Sequence, residues 1–342
     1  MKWSIDSLEI ANYGVIHDFS CDHFSNINLI IGENGTGKSF FLKALYSAVR
    51  TLEETGRGDD NRPMSEVLAE KLRWTFQVDK IGDIVQRSSR ELLSFHMEHS
   101  SGNLQYGFSK SAGRKIMNVD SEGDRKQGNS VLIPAKEVLT LYKIILQSRG
   151  IDQVFGFDDT YYDLAKALQI APARGKNYHV FSEARSTVRE MINGKVDYDE
   201  VKEKWFYKDS ANQKFSIGAT SEGVKKIAIL DRLLANGYLG PESVIFFDEI
   251  ESALHPDAIC SLLDVVDRIA SEMGIQIFIA SHSYYVIKKL ALIAARGPGV
   301  VTCISLGSEG RPEICDLCDG LPDNSIIDTS IRLYEEEVEA RL

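Results

Sequence analysis

The apolar positions change period several times along the chain, and each change marks an element. Ser7–Ile10 and the almost wholly apolar Asn26–Ile31 are short β-rich runs, the second with the pattern of a parallel strand buried on both faces. From Lys38 to about Thr55, the residues Phe41, Leu42, Leu45, Tyr46, Val49 and Leu52 recur at helical spacing, with Gly56 as a stop. Residues 57–63 read as a loop. Between about 75 and 133, the runs Leu92–Glu98, Leu104–Phe108, Lys115–Val119 and Ser130–Ile133 are separated by Gly and Ser clusters and predict strands. Helix-like runs return over 136–194, clearest at Val138–Gln147, Tyr161–Leu168 and Ala184–Ile192. Strands around Trp205–Tyr207 and Lys214–Ile217 lead into a helix from about Glu222 to Asn236. The remainder alternates strand Val244–Phe247, helix Pro256–Ala270, strand Ile275–Ala280, helix Tyr285–Ala295 and strand Val300–Ser305. Such α/β alternation at both ends, around a middle of different character, predicts a split α/β head with an inserted lobe. The head takes residues 1–55 and 213–342, and the lobe takes 56–212, β-rich over 75–133 and helical over 136–194.

One segment between strand and helix carries chemistry. Gly32-Glu33-Asn34-Gly35-Thr36-Gly37-Lys38-Ser39 fits G-x-x-x-x-G-K-[ST] in full, after an apolar strand and at the start of a helix. Glycines let successive backbone N–H groups turn inward around phosphate oxygens, and the helix N-terminus adds positive potential. Lys38 is placed to reach β- and γ-phosphates, and Ser39 to offer a hydroxyl to Mg²⁺.

A second apolar strand, Ser243–Phe247, ends in Asp248-Glu249. An acidic pair after a strand is commonly a solvated turn. Beside a phosphate loop it places Asp248 near the metal held by Ser39 and Glu249 near an attacking water. Ser252-Ala253-Leu254-His255-Pro256 follows, and a further apolar strand ends in Ser281-His282-Ser283, where His282 is placed to hydrogen-bond a γ-phosphate. Upstream, Ser221-Glu222-Gly223 opens a helix; it is read either as a second anion site or as a plain N-cap.

This set resembles the ATP-binding-cassette ATPase superfamily, and most of all the branch that includes SMC, RecF and the OLD-like ATPases. The resemblance covers residues 1–55 and 213–306 and touches the middle only loosely. It implies a P-loop NTPase head of ABC type with an inserted antiparallel β lobe and a helical arm. Gly32, Asn34, Gly35, Thr36, Gly37, Lys38, Ser39 and Phe40 would bind ATP, and Ser39 and Asp248 would bind Mg²⁺. Glu249 would be the catalytic base, acting with Lys38 and the switch histidine His282, and Ser252–His255 the D-loop. Ser221 and Gly223 would be the signature that closes on ATP held by a second head, which implies a homodimer with ATP sandwiched between heads, or a larger oligomer. The chain departs from the pattern at Glu222, where the signature has a glycine, and at His255, where the D-loop has an aspartate. For the glutamine that links the metal to the lobe, Gln77 is one candidate and the Pro134-Ala135-Lys136 corner an alternative that would take its place; Tyr13 is read equally as an aromatic that stacks on adenine or as a core or surface aromatic. OLD-like relatives carry a TOPRIM nuclease after the head. The 36 residues after Leu306 are too few for one, so a separate effector protein is expected. The resulting expectation is an ATPase or sensor subunit of a prokaryotic antiphage or genome-maintenance complex. The alternatives are a nucleotide-switched DNA or RNA clamp and, further off, a transporter ATPase subunit.

Composition narrows this further. Of the net charge of −11, residues 1–240 contribute nothing, with 32 basic and 32 acidic side chains, so the excess lies in residues 241–342. A uniformly basic nucleic-acid binder is excluded, whereas a local basic patch is not; Arg57, Arg62, Lys71 and Arg73 form the candidate stretch for nucleic acid. No apolar run spans a membrane, the N-terminus has no signal-peptide pattern, and five sparse cysteines fit a reduced, cytoplasmic protein. Cys315-x-x-Cys318 lacks the second pair that a zinc site needs. Glu335–Glu339 reads as a solvated helix face.

Overall fold

The computed structural model describes residues 2–172, 179–296, 300–307 and 312–341. In chain order the elements are β1 (Ile5–Tyr13), β2 (Ile16–Cys21), β3 (Ile27–Gly32), α1 (Lys38–Glu54), α2 (Met64–Phe76), β4 (Leu93–His99), β5 (Gly102–Phe108), β6 (Asn118–Gly123) and β7 (Val131–Ile133). Then come α3 (Tyr142–Gly150), α4 (Asp159–Gln169), α5 (His179–Met191), β8 (Gly194–Asp199), β9 (Lys204–Asp209), β10 (Lys214–Ser216) and α6 (Glu222–Ala235). The chain continues through β11 (Val244–Asp248), α7 (Pro256–Met273), β12 (Gln276–Ser281), α8 (Tyr284–Ala294), β13 (Val301–Leu306), β14 (Glu313–Asp316) and α9 (Ser325–Glu339).

Three sheets organise these elements. A six-stranded sheet runs β14-β13-β3-β12-β11-β7, parallel except for β14 at its edge. A five-stranded antiparallel sheet runs β2-β1-β4-β5-β6, and a small one runs β10-β9-β8. Central strands of the parallel sheet are apolar at successive positions because both faces are covered. Ile245, Phe247, Ile277 and Ile279 enter one core with α4, α5, α6, α7 and α8. Their neighbours Val244, Phe246, Phe278 and Ala280 enter a second core with α1 and the antiparallel sheet. Period-two alternation on a two-sided sheet thus divides one strand between two cores.

The fold class is therefore α/β, with a P-loop strand–loop–helix in a parallel sheet and an antiparallel lobe against it. Several sequence-based bounds move. α2 falls where the sequence reading passes from a loop to strands; Val67, Leu68 and Leu72 face its core side, and Pro63 stands at its N-cap. The helix expected at Val138–Gln147 begins at Tyr142, because the Glu137 carboxylate accepts from the Thr140 N–H at 2.9 Å and holds a turn there. The strand expected at Lys115–Val119 shifts to β6, and β8 appears after α5. β7 leaves the antiparallel neighbourhood altogether: it pairs with β11 and closes the edge of the parallel sheet. Among the described residues, no helix is long and apolar enough to cross a membrane.

Candidate functional site

The strand ends of β3, β11 and β12 lie side by side, since β12 pairs with both of the others. That register carries the phosphate-loop segment, Asp248 and His282 to one edge of the sheet. Gly37 caps α1 at φ 98°, a left-handed conformation, and a Cβ there would stand 2.6 Å from Val15 Cγ2. Only glycine satisfies both constraints.

Lys38 is buried and folds back over the loop, its Nζ donating to the carbonyls of Gly32 and Glu33 at 2.8 Å each. Burial lowers its pKa, against the pull of Glu249, Asp248 and Glu251, which raises it. Ser39 Oγ donates to Asp248 Oδ1 at 2.9 Å, joining loop to acidic strand end across the sheet edge. Burial raises the Asp248 carboxyl above its ordinary value; the Ser39 hydrogen bond opposes the rise and Glu249 adds to it. Glu249 sits at φ 49° and Ala253 at φ 62°, so the turn after β11 holds two non-glycine residues in left-handed backbone. Backbone of this kind persists only where its surroundings over-determine it, and it clusters at functional sites. His282 Nδ1 lies 3.9 Å from Glu249 Oε1 and 3.6 Å from Glu251 Oε1.

Two residues that the sequence reading passed over complete the cluster. Glu251 Oε1 accepts from Ser281 Oγ at 2.9 Å and from the His282 N–H at 3.0 Å, tying the β11 turn to the β12 turn. Its other oxygen is buried without a hydrogen-bond partner among the described residues. Lys226, on the second turn of α6, donates to the Glu249 carbonyl. Burial lowers it to about 8, although Glu251, Asp248 and Glu249 all favour its charged form. The signal for Glu251 was the third acidic position of Asp248-Glu249-Ile250-Glu251. Lys226 gave none beyond its place three residues after Gly223.

Other candidates separate from this cluster. Ser221 is the N-cap of α6, its Oγ accepting from the Val224 N–H at 3.4 Å. A Cβ on Gly223 would stand 2.7 Å from the Ala253 carbonyl, so this glycine lets α6 pack on the turn that follows Glu249. His255 caps α7, its Nδ1 accepting from the Asp257 N–H at 3.3 Å, with Pro256 in the first turn. Tyr13 is fully buried, shares a 3.1 Å hydrogen bond with Tyr106 and is pushed well up by burial, so it is a core residue and cannot stack on a base. The Phe40 side chain packs on Tyr13 and Phe76. Gln77 and Lys136 line one cavity of about 250 Å³ with Lys43, Asp158 and Tyr161, so the two alternatives for the lobe contact converge on one place. Asn34 and Gly35 are exposed at the loop tip, where Thr36 Oγ1 donates to the Glu33 carbonyl at 3.0 Å. The basic stretch is largely spent on internal contacts: Lys71 is buried against Glu54, Asp159 and Asp163, and Arg62 pairs with Asp60 and Glu70. The guanidinium of Arg73 lies over Trp74 and Phe155. Cys303 and Cys315 face each other across β13 and β14.

Solved structures show the same fold. The SMC head domain from Pyrococcus furiosus, in complex with the C-terminal domain of ScpA, superposes with TM-score 0.53 at 11% identity, covering 98% of this chain and 99% of that one. An SMC head bound to the C-winged helix domain of ScpA gives TM-score 0.53 at 13% identity, over 91% and 97%. The architecture is that of an SMC-head-type P-loop protein. Residues 105–288, over half of the chain, match the family model described as "AAA domain, putative AbiEii toxin, Type IV TA system", and the chain belongs to that AAA-domain family. No curated protein matches the sequence.

Proposed function

We propose that the cluster binds Mg-ATP and hydrolyses it, and that nucleotide state governs the pairing of two heads. The observation that carries this reading is the 2.9 Å contact between Ser39 Oγ and Asp248 Oδ1, with Glu249 next in sequence and His282 alongside it. Ser39 and Asp248 offer two hard oxygen donors in contact across the sheet edge, which fits Mg²⁺; the ion would neutralise charge on β- and γ-phosphate oxygens. The N–H groups of Gly35–Phe40 and the Lys38 ammonium hold the triphosphate, and Lys38 leaves the Gly32 and Glu33 carbonyls to do so. Glu249 accepts the proton of the attacking water, and His282 donates a hydrogen bond to the γ-phosphate. Glu251 positions His282 through its N–H. Lys226 holds the Glu249 main chain. With little covalent chemistry for the protein to perform, positioning and charge stabilisation supply nearly all the catalysis. Val15, exposed beside Gly37, offers an apolar surface for the base in place of Tyr13.

The head is read as residues 1–55 with 213–342, favoured by a parallel sheet that draws β3 from one part and β11, β12 and β13 from the other, while the insert adds β7 at its edge. Ser221 and Gly223, at the N-terminus of α6, would face ATP on a partner head. A role as the ATPase of a prokaryotic defence or genome-maintenance complex, with a separate effector, is favoured over a transporter subunit by the family description, which names a toxin of a type IV toxin–antitoxin system.

The test uses two variants. Lys38→Ala is expected to weaken binding of a fluorescent ATP analogue by about tenfold or more, from loss of charge-assisted bonds. Glu249→Gln is expected to keep binding, lose ~10²–10⁴-fold in turnover, and run as a dimer in light scattering when ATP and Mg²⁺ are present. Wild-type turnover in Glu249→Gln would sink the base assignment, and a monomer under those conditions would sink the pairing of heads.

A further inference from the structure

A second cavity, of about 730 Å³, opens at the opposite end of α1 from the phosphate loop. α1 has 17 residues, so at 1.5 Å per residue its two ends are about 24 Å apart, and the cavity is separate from the nucleotide site. Its volume lies in the range of small-molecule sites, roughly 300–1,000 Å³.

The lining has an unusual charge for this protein. Six cations, Arg50, Arg57, Arg62, Lys71, Arg149 and Lys166, face four carboxylates, in a chain whose net charge is −11. Arg62 is paired with Asp60 and Glu70, and the other five divide into two kinds. Deep in the cavity, Arg50 and Lys71 are buried and ion-paired with Glu54 and Asp163, while Arg149 pairs with Asp159. They form a rigid floor whose charges are already answered. At the rim, Arg57 and Lys166 are exposed, and among the described residues neither has a carboxylate within ion-pair distance. Among the described residues, Arg57 donates to Asn129 Oδ1 at 2.8 Å and, through its backbone N–H, to the Glu54 carbonyl.

Between floor and rim stands Tyr162. Arg149 lies 5.3 Å and Lys166 5.2 Å from the centre of its ring. An aromatic face flanked by Arg149 and Lys166, with Arg57 as a third cation at the mouth held by a neutral amide, matches an anion that carries several negative charges on a small frame. Plain solvation explains an exposed lysine or arginine alone. It does not explain two of them converging on one cavity with a prebuilt, charge-satisfied floor.

We propose that this cavity is a second ligand site, which takes a phosphate-bearing small molecule clasped at the rim by Arg57 and Lys166. The site rests on observations independent of the ATPase reading. Two sources share the chemistry, a nucleotide and a bare polyphosphate, and the probes separate them.

The experiment titrates the full-length Lys38→Ala chain with sodium tripolyphosphate and, separately, with ATP, by isothermal titration calorimetry. The same titrations are repeated with Arg57→Glu and Lys166→Glu added. Saturable binding of at least one probe is expected, weakened by about tenfold or more in the charge-reversed chain, whose melting temperature should be unchanged since neither side chain is buried. Binding of tripolyphosphate assigns the site to phosphate alone; binding of ATP only shows that the ring is required. Absence of saturable binding by both probes overturns the proposal. So does binding of equal strength in the charge-reversed chain, which would place the residual ligand at the phosphate loop.

Discussion

At the N-terminal end of α1, Lys38, Asp248, Glu249, Glu251 and Lys226 crowd together with their charges only partly answered. Lys38 rests on carbonyls, Asp248 is raised by burial, and one oxygen of Glu251 is unpaired. At the C-terminal end of the same helix, beneath the exposed rim cations Arg57 and Lys166, the buried charges are as dense but closed on one another. Glu53, fully buried, accepts from Lys126 at 2.7 Å, Arg50 at 2.6 Å and the Ser130 N–H at 3.1 Å. Burial alone would raise its carboxyl, but Lys126 and Arg50 hold it below the usual range. Asp163 is likewise held down by Lys71 and Arg50 against its burial. The difference separates two uses of buried charge. A closed network fixes the position of the elements that meet there, here α1, α2, α4 and the 125–130 segment. An open one leaves interaction for a ligand to complete, and here it adjoins a turn that holds Glu249 and Ala253 in left-handed backbone.

The largest test of this contrast is Lys126→Met. Leaving Glu53 buried without its main partner should cost about 3–5 kcal/mol in urea unfolding, with ATP affinity of the folded chain unchanged. A selective loss of ATP binding at unaltered stability would erase the distinction between the two ends.

Next in size is a pH effect. A carboxyl depressed in the folded state stabilises above its unfolded pKa, and that stabilisation is lost as pH falls through the folded value. Asp163 therefore contributes fully above about pH 4, the ordinary carboxylate range, and less below it. Asp163→Asn should lower stability at pH 7 and show a shallower further loss between pH 4 and pH 2 than the parent chain. Parallel acid curves for the two proteins would show that Asp163 is not held down in the fold.

Smallest is Tyr13→Phe. It removes the buried hydrogen bond to Tyr106 and should cost about 1 kcal/mol, with nucleotide binding intact. A marked fall in ATP affinity at constant stability would return Tyr13 to the site.

Much of the candidate site was legible in the sequence, because it is written in contiguous residues. Gly32–Ser39, Asp248-Glu249 and His282 each stand at the end of an apolar strand, and local pattern suffices to find them. What escaped notice depends on partners distant in sequence. Glu251 matters through Ser281 and His282, and Lys226 through the Glu249 carbonyl; Gly223 was named as a signature residue, but not for its packing on the Ala253 turn. Tyr13 looked equally suited to stacking or core until the antiparallel sheet enclosed it.

Local pattern was enough to specify the strand–loop–helix at Gly32–Ser39 and the strand that delivers Asp248, because glycine freedom, helix initiation and runs of apolar residues act over a few neighbours. The tertiary structure alone decided that β7 closes the parallel sheet, that Ser39 meets Asp248, and that Lys71 is buried in ion pairs instead of facing a nucleic acid. Each of those outcomes is a pairing between segments far apart in the chain. Nothing in a local pattern specifies which distant strand edge or carboxylate will satisfy a given backbone or charge; that choice is made when the two cores form.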